Sequence, residues 1–494
     1  MLSEAACHAL LTPAQMGQAD RLAIAGGTPE ADLIQAAGKA VADAVMDRWS
    51  AVPVVVLCGP GHNGSDGFVA ACRLRDAGWP VQVALFGPVD ALRDEAAACA
   101  QAWGGPLLAL EPTAFSEAGL VIDALLGAGL SRPVEGVLLE VIEALNARAL
   151  PVCSVDVPSG LDGASGRVQG AAVRADLTVT FFRRKPGHLL MPGRALCGEL
   201  LCVDIGIPAA VLAAIAPDCH ANHPDLWIDD FPWPELQTHK YRRGHLLVIG
   251  GETLLGASRL SSLGAARIGA GLVTLAVPSS AWAIQATALS SIMVARLPED
   301  GRLAPLLADE RRNSILIGPG LGQGAQNCAQ VLEILASGRA CVLDADAISS
   351  FADAPDRLIE ALHGACVLTP HEGEFARVFP ALGGDRLSRA RAAAHASGAV
   401  WVLKGADTVI AHPDGRAVIN DNAPPTLATA GSGDVLAGCI AGLLAQGMPP
   451  FQAACAAVHL HGQAAAGFGP GLIADDLPAE LPGVLSALRA RVHT

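Results

Sequence analysis

The stretch Val54-Val55-Val56-Leu57-Cys58-Gly59-Pro60-Gly61-His62-Asn63-Gly64-Ser65-Asp66-Gly67 decides the fold of the first half of the chain. Its first five residues are an unbroken apolar run rich in β-branched side chains. Such a run reads as a strand covered on both faces. The glycines that follow let the backbone turn sharply, and an apolar helix starts near Phe68. Strand, glycine loop and helix together aim backbone N–H groups at a phosphate. The loop is neither a GxGxxG nor a Walker sequence, so a Gly-rich tight turn is the plain alternative.

Outward from this unit the texture repeats. Val81–Phe86, Leu120–Ala124, Val152–Val155, Leu177–Phe182 and Leu200–Asp204 are further short apolar runs, separated by Ala-rich helical stretches. This is an α/β doubly wound pattern. Around 219–238 histidines, prolines and acidic residues break the periodicity, so 223–237 is expected to be a linker. It would separate a domain at 1–222 from one at 238–494. The pattern then restarts with strands at Leu246–Gly250, Leu272–Val277, Ile315–Ile317, Cys341–Leu343, Cys366–Leu368 and Val400–Leu403. A hairpin, Thr408–Ala411 with Ala417–Ile419, turns at Pro413-Asp414-Gly415.

Composition narrows the class. The chain has 494 residues, 51% hydrophobic and 16% charged, enough for two large cores. A formal charge of −15 argues against a nucleic-acid binder. The 13 cysteines form no CxxC pair and no familiar metal-ligand spacing. They read as small buried hydrophobes of a reducing compartment. No apolar run is long enough to span a membrane, and the first ten residues lack signal-peptide character. A cytoplasmic location is expected, with no nucleic-acid or membrane partner. The Ala-rich helices around Ala257–Ala270 and Phe451–Ala466 suggest a homo-oligomer.

Polar residues close several strands, where ligands of open α/β sheets bind. Asp123 precedes Ala124-Leu125-Leu126-Gly127-Ala128-Gly129-Leu130, and Asp156 precedes Val157-Pro158-Ser159-Gly160-Leu161-Asp162. Asn63, Asp123 and Ser159 could offer oxygens to a hard cation such as K⁺. Each taken singly reads more readily as a cap or turn former than as a ligand. Lys185, within Arg184-Lys185-Pro186-Gly187-His188, could be a substrate-facing charge, but the expected reading is a solvated loop cation.

In the second half, Thr429-Ala430-Gly431-Ser432-Gly433-Asp434 opens an apolar helix. A helix N-terminus attracts anions, so a carboxylate there is either a favourable first-turn charge or a base beside an anion hole. Gly250-Gly251 with Gly256-Ala257, Gly318-Pro319-Gly320-Leu321-Gly322, Thr369-Pro370-His371-Glu372-Gly373-Glu374 and Lys404-Gly405-Ala406-Asp407-Thr408 all lie at predicted strand ends, so they can meet at one sheet edge.

Together the loops at 61–67, 123–130 and 156–162 resemble the epimerase domain of the NAD(P)H-hydrate repair family. His62 and Ser65 stand where that family usually has Asn and Gly. The five segments of the second half resemble the family's ribokinase-like dehydratase domain, over most of 238–494. The resemblance implies two tandem three-layer αβα domains, the first Rossmann-like and the second ribokinase-like. It implies K⁺ on Asn63, Asp123 and Ser159. Hydrated NADH or NADPH would lie against His62, Asn63, Gly64, Ser65, Asp66, Gly127, Ala128, Gly129, Leu130, Ser131, Arg132, Pro133 and Asp156. Asp156 is the acid/base candidate. In the second domain the hydrate would contact Ala257, Gly322, His371 and Asp434, with Asp434 as catalytic base. ADP, or alternatively ATP, with Mg²⁺ would contact Lys404, Gly405, Ala406, Asp407, Thr408, Gly431, Ser432 and Gly433. Two rival readings remain: a small-molecule kinase using the same Gly-Ser-Gly-Asp device, and a first domain that serves only as a binding or dimerisation module.

Overall fold

A computed structural model describes residues 4–130 and 132–492. Ser131, expected at the first site, lies outside the described residues. The chain divides into two compact units, Met1–His220 and Ala221–Thr494.

In the first unit seven strands form one parallel sheet: β1 (Val54–Cys58), β2 (Val81–Leu85), β3 (Leu107–Ala109), β4 (Leu120–Ala124), β5 (Val152–Val155), β6 (Leu177–Phe181) and β7 (Glu199–Val203). Their order is β3-β2-β1-β4-β5-β6-β7. The order reverses between β1 and β4, so their carboxyl ends open a crevice for a ligand. Both central strands are fully buried, as their unbroken apolar runs require. β3 was not expected: it is a three-residue edge strand, too short to leave a pattern.

The chain passes between the units at β8 (Cys219–Ala221). The second unit contains β9 (His245–Ile249), β10 (Leu272–Val277), β11 (Met293–Arg296), β12 (Ser314–Ile317), β13 (Ala340–Leu343), β14 (Cys366–Leu368), β15 (Val400–Leu403), β16 (Val409–Ala411) and β17 (Ala417–Ile419). These run in the order β11-β10-β9-β12-β13-β14-β15-β16-β17. β11 through β15 pair in parallel, and β16 and β17 form the antiparallel hairpin expected. The edge strand β11 was unforeseen.

The stretch 223–237 needs correction as a linker. Trp227 is 1% exposed and, with Phe231, belongs to the second unit's core. Prolines and acids had masked these anchors. Helices Leu255–Arg267 and Ser432–Ala445 pack backbone to backbone. A Cβ on Gly438 would stand 2.0 Å from the Ser261 carbonyl oxygen. That contact sets the second helix against β9, β12 and β13 and aims its N-terminus at the sheet edge. Among the described residues no helix is long and apolar enough to cross a membrane.

Candidate active sites

The first site grows from the carboxyl ends of β1, β4 and β5. Asp123 is fully buried on β4. Its carboxylate accepts from Ser159 Oγ (2.5 Å), Ser159 N (2.8 Å) and Ser154 Oγ (2.9 Å). Burial pushes its pKa up, against the pull of these donors. Among the described residues no cation pairs with it. Asn63 lies in the first turn of helix His62–Asp76, buried, with its amide nitrogen unpartnered. Its carboxamide lies alongside Gly127, in the loop whose Leu126 N–H reaches Ser159 Oγ at 2.8 Å. An uncompensated buried carboxylate, a free carboxamide and a hydroxyl fit a hard monovalent cation. Gly64 owes its identity to packing, since a Cβ there would fall 1.9 Å from the Gly59 carbonyl oxygen.

Above this floor is a cavity of ≈ 600 Å³, ample for part of a dinucleotide. Its lining includes His62, Asn63, Asp66, Gly127, Ala128, Gly129, Leu130, Arg132 and Asp156 from the expected set. Gly64, Ser65 and Pro133 are not on its wall, and Ser65 is fully buried. His62 is mostly exposed and stands 3.4 Å from Glu30.

Asp156 sits at φ 65°, a strained conformation for a residue with a side chain. Lys185 is correspondingly not a solvated loop cation. It is 1% exposed, ion-paired to Asp156, and donates to Thr180 Oγ1 at 2.8 Å. Thr180 in turn donates to Asp156 at 3.0 Å. His188 Nδ1 accepts from the Lys185 N–H at 3.0 Å, leaving Nε2–H to donate to the Asp156 carbonyl at 2.9 Å. Burial, then the Lys185 charge, hold this imidazole neutral, with its pKa down at about 3. Burial pushes the Asp156 carboxyl up, but Lys185, His188 and Thr180 outweigh it and the net shift is down. Asp66 goes the other way: burial, then the charges of Asp156 and Asp20, raise it well above the carboxylate range. The cavity thus holds one carboxyl favoured as carboxylate and one favoured as acid. Thr180, His188 and Asp20 were missed, because only the neighbouring strand β6 and the first helix bring them there.

The second site forms where β13, β14 and β15 end. Lys404 closes β15 and reaches back to Asp344 after β13, Nζ to carboxylate 2.8 Å. Thr369 after β14 donates to the same oxygen at 2.8 Å. Asp346 accepts from the Gly322 N–H at 2.9 Å. Asp344 and Asp346 each keep one carboxylate oxygen outside these bonds. His371 caps helix Glu372–Val378, accepting from Gly373 and Glu374, and its ring stays 58% exposed.

Gly431, at φ 89°, swings the chain into helix Ser432–Ala445. Ser432 Oγ turns back to the Leu427 and Thr429 carbonyls. A Cβ on Gly433 would be 3.1 Å from Lys404 Nζ, so the lysine lies under the helix's amide end. Asp434 stands half-buried in the first turn. Burial, then the Asp344 charge, raise its pKa to about 7 against the pull of Lys404. The loop 404–408 is braced from below: Arg386 donates to the Lys404 carbonyl at 2.8 Å and pairs with buried Asp407 at 3.1 Å. Asp407 is thereby committed to structure. Ala257 packs close to Gly320 in the glycine turn after β12. Asp344, Asp346 and Arg386 were missed, although a strand ending in Asp344-Ala345-Asp346 carried the same signal as Asp123. The carboxylates of Asp344, Glu374 and Asp434 around Lys404, at an anion-attracting helix end, fit an oxygen-ligated divalent ion.

Residues 30–187 match the family model described as YjeF-related protein N-terminus. Residues 246–477 match the model described as NAD(P)H-hydrate dehydratase. The chain is 37% identical to the bifunctional NAD(P)H-hydrate repair enzyme of Salinibacter ruber, over 98% of its own length and 97% of that protein. It is also 37% identical to the enzyme of the same name from Moorella thermoacetica, covering 98% of each. A solved ribokinase-like superfamily protein from Enterococcus faecalis aligns with 55% of this chain and 96% of its own, at TM-score 0.50 and 26% identity.

Proposed function

The chain belongs to the family of bifunctional NAD(P)H-hydrate repair enzymes, and from that premise we propose that it interconverts the (R) and (S) hydrates of NADH and NADPH and dehydrates the (S) form with ADP. The observation that carries the dehydratase reading is Asp434, a carboxyl raised to about 7 at a helix N-terminus above Lys404. A base poised near neutrality suits proton transfer from an alcohol.

In the second site Asp434 takes the proton of the hydrate's hydroxyl. The freed oxygen attacks the terminal phosphoryl of ADP, and AMP leaves. Lys404 and the first-turn amides at 431–433 stabilise the charge that builds on the phosphoryl oxygens. The phosphate ester then departs as inorganic phosphate, expelled by the ring nitrogen's electron pair, and loss of the adjacent ring C–H proton restores dihydronicotinamide. Asp344 and Asp346 would hold Mg²⁺, which when bound neutralises the nucleotide phosphates. Phosphorylation makes hydroxide a leaving group, so a kinase-like site can run a dehydration.

In the first site Asp66 supplies the acid and Asp156 the base. Asp66 protonates the departing ring hydroxyl, and the ring nitrogen stabilises the cationic carbon. Water adds to the opposite face as Asp156 accepts its proton. Lys185 keeps Asp156 ionised, and neutral His188 holds its backbone. Asn63, Asp123 and Ser159 would hold K⁺, which when bound supplies the missing counter-charge to Asp123.

The test is recovery of the dihydronicotinamide absorbance from a mixture of both NADH-hydrate epimers with Mg²⁺, K⁺ and ADP. Full recovery is expected. Recovery that stalls when one epimer is spent removes the epimerase assignment. No recovery with ADP or ATP overturns the repair reading in favour of a small-molecule kinase.

A further inference from the structure

The opposite end of two strands that carry the second site holds a cluster with no part in either reaction. Cys341 on β13 and Cys366 on β14 are direct register partners in a parallel pair, so both side chains leave the same sheet face. Both are buried, and their sulfurs are 3.5 Å apart. A ring nitrogen of His363 joins them, the three atoms lying within 4.8 Å of one another. His363 Nε2 is buried and makes no hydrogen bond, while Nδ1 accepts only a 3.3 Å contact from the Ala365 N–H.

We propose that Cys341, Cys366 and His363 form a binding site for one Zn²⁺-class ion, pinning β13 to β14 at the end remote from catalysis. Two thiolates on a tetrahedral ion with bonds of about 2.3 Å lie roughly 3.8 Å apart, close to the spacing already present. The charge balances: Zn²⁺ displaces two thiol protons, and the dication with two thiolates is neutral, which suits a buried setting. Zn²⁺ fits better than Mg²⁺ because sulfur and imidazole are its ligands.

The full-length protein, chelator-stripped and kept reduced, is titrated with Co²⁺ as a spectroscopic stand-in. A thiolate-to-cobalt charge-transfer band saturating at one ion per chain is expected, with Zn²⁺ displacing it. Oxygen-ligated Co²⁺ in either active site gives no such band. Cys341→Ser and Cys366→Ser should each abolish it, and His363→Gln should weaken binding by about tenfold or more. Because His363 is only half-buried, that variant separates loss of a ligand from loss of folding. Zn²⁺ should also raise the melting temperature of the native chain and not of the Cys341→Ser variant. A reduced native protein with no thiolate band, or a band that persists in both serine variants, overturns the site.

Discussion

Asp434 shows how much one side chain's surroundings decide. On an open surface its carboxyl would be ionised at every physiological pH. Here burial and the Asp344 charge lift it to about 7. The ionised form is the base, so dehydratase kcat/KM should fall about tenfold per pH unit below that value and level off above it. A pH profile with the nucleotide saturating checks this; a flat profile from pH 5 to 8 rejects Asp434 as the base. Asp434→Asn should retain ADP binding and lose roughly 10²–10⁴-fold in turnover, the usual worth of a positioned base. Lys185 and Asp156 form the matching pair in the first unit. Lys185→Met strands a largely buried carboxylate, which should cost about 3–5 kcal/mol of stability. Its folded pKa is depressed, so Asp156 adds stability above its unfolded pKa and loses it as pH falls through the folded one. Denaturant melts of the native and Lys185→Met proteins should therefore converge on acidification.

At the scale of elements, the dehydratase site depends on one helix being held at one height. Helix Ser432–Ala445 lies against helix Leu255–Arg267 through Gly264, Gly438 and Gly442, whose missing side chains allow backbone contact. A Cβ at Gly438 would have to clear a carbonyl oxygen 2.0 Å away. Gly438→Ala should therefore cost about 1–3 kcal/mol and lift the helix N-terminus off Lys404. The expected readouts are a lower melting temperature and a raised KM for ADP, with epimerisation unchanged. A second strained joint is Gly318, at φ 128°, where a Cβ would strike the Asp344 carbonyl oxygen at 1.8 Å. There the glycine allows β12 and β13 to deliver Gly322 and Asp346 to the same edge.

At the scale of the molecule, the two units have separate cores, one built around helix Ser432–Ala445 and the other around β1 and helix His62–Asp76. Their activities should be separable by single substitutions. With a mixture of hydrates, Asp156→Asn should recover dihydronicotinamide only to the extent of the (S) form present. Asp434→Asn should recover it about 10²–10⁴-fold more slowly, yet still scramble a pure epimer. Chromatographic epimer ratios beside the absorbance trace distinguish these outcomes. A full recovery by the Asp156→Asn chain would reject the acid/base assignment while leaving the dehydratase standing.

The sequence by itself determined the sheet-forming runs, the glycine loops and the residues within them. Asn63, Asp66, Asp123, Asp156, Lys404 and Asp434 could be singled out as site candidates, because strand, turn and helix start are local and polar residues at their junctions stand out in the sequence. The edge strands β3 and β11 were not, being short and half-covered, and the proline-broken stretch at 223–237 hid two core aromatics. Tertiary structure alone decided the partnerships. Lys185 becomes buried only because β6 lies beside β5, and Asp344 meets Lys404 only because β14 lies between their strands. Cys341 and His363 likewise meet across strands. Strand order fixes which distant side chains share a space, and the same proximity and burial set their charge. No spacing along the chain records that order.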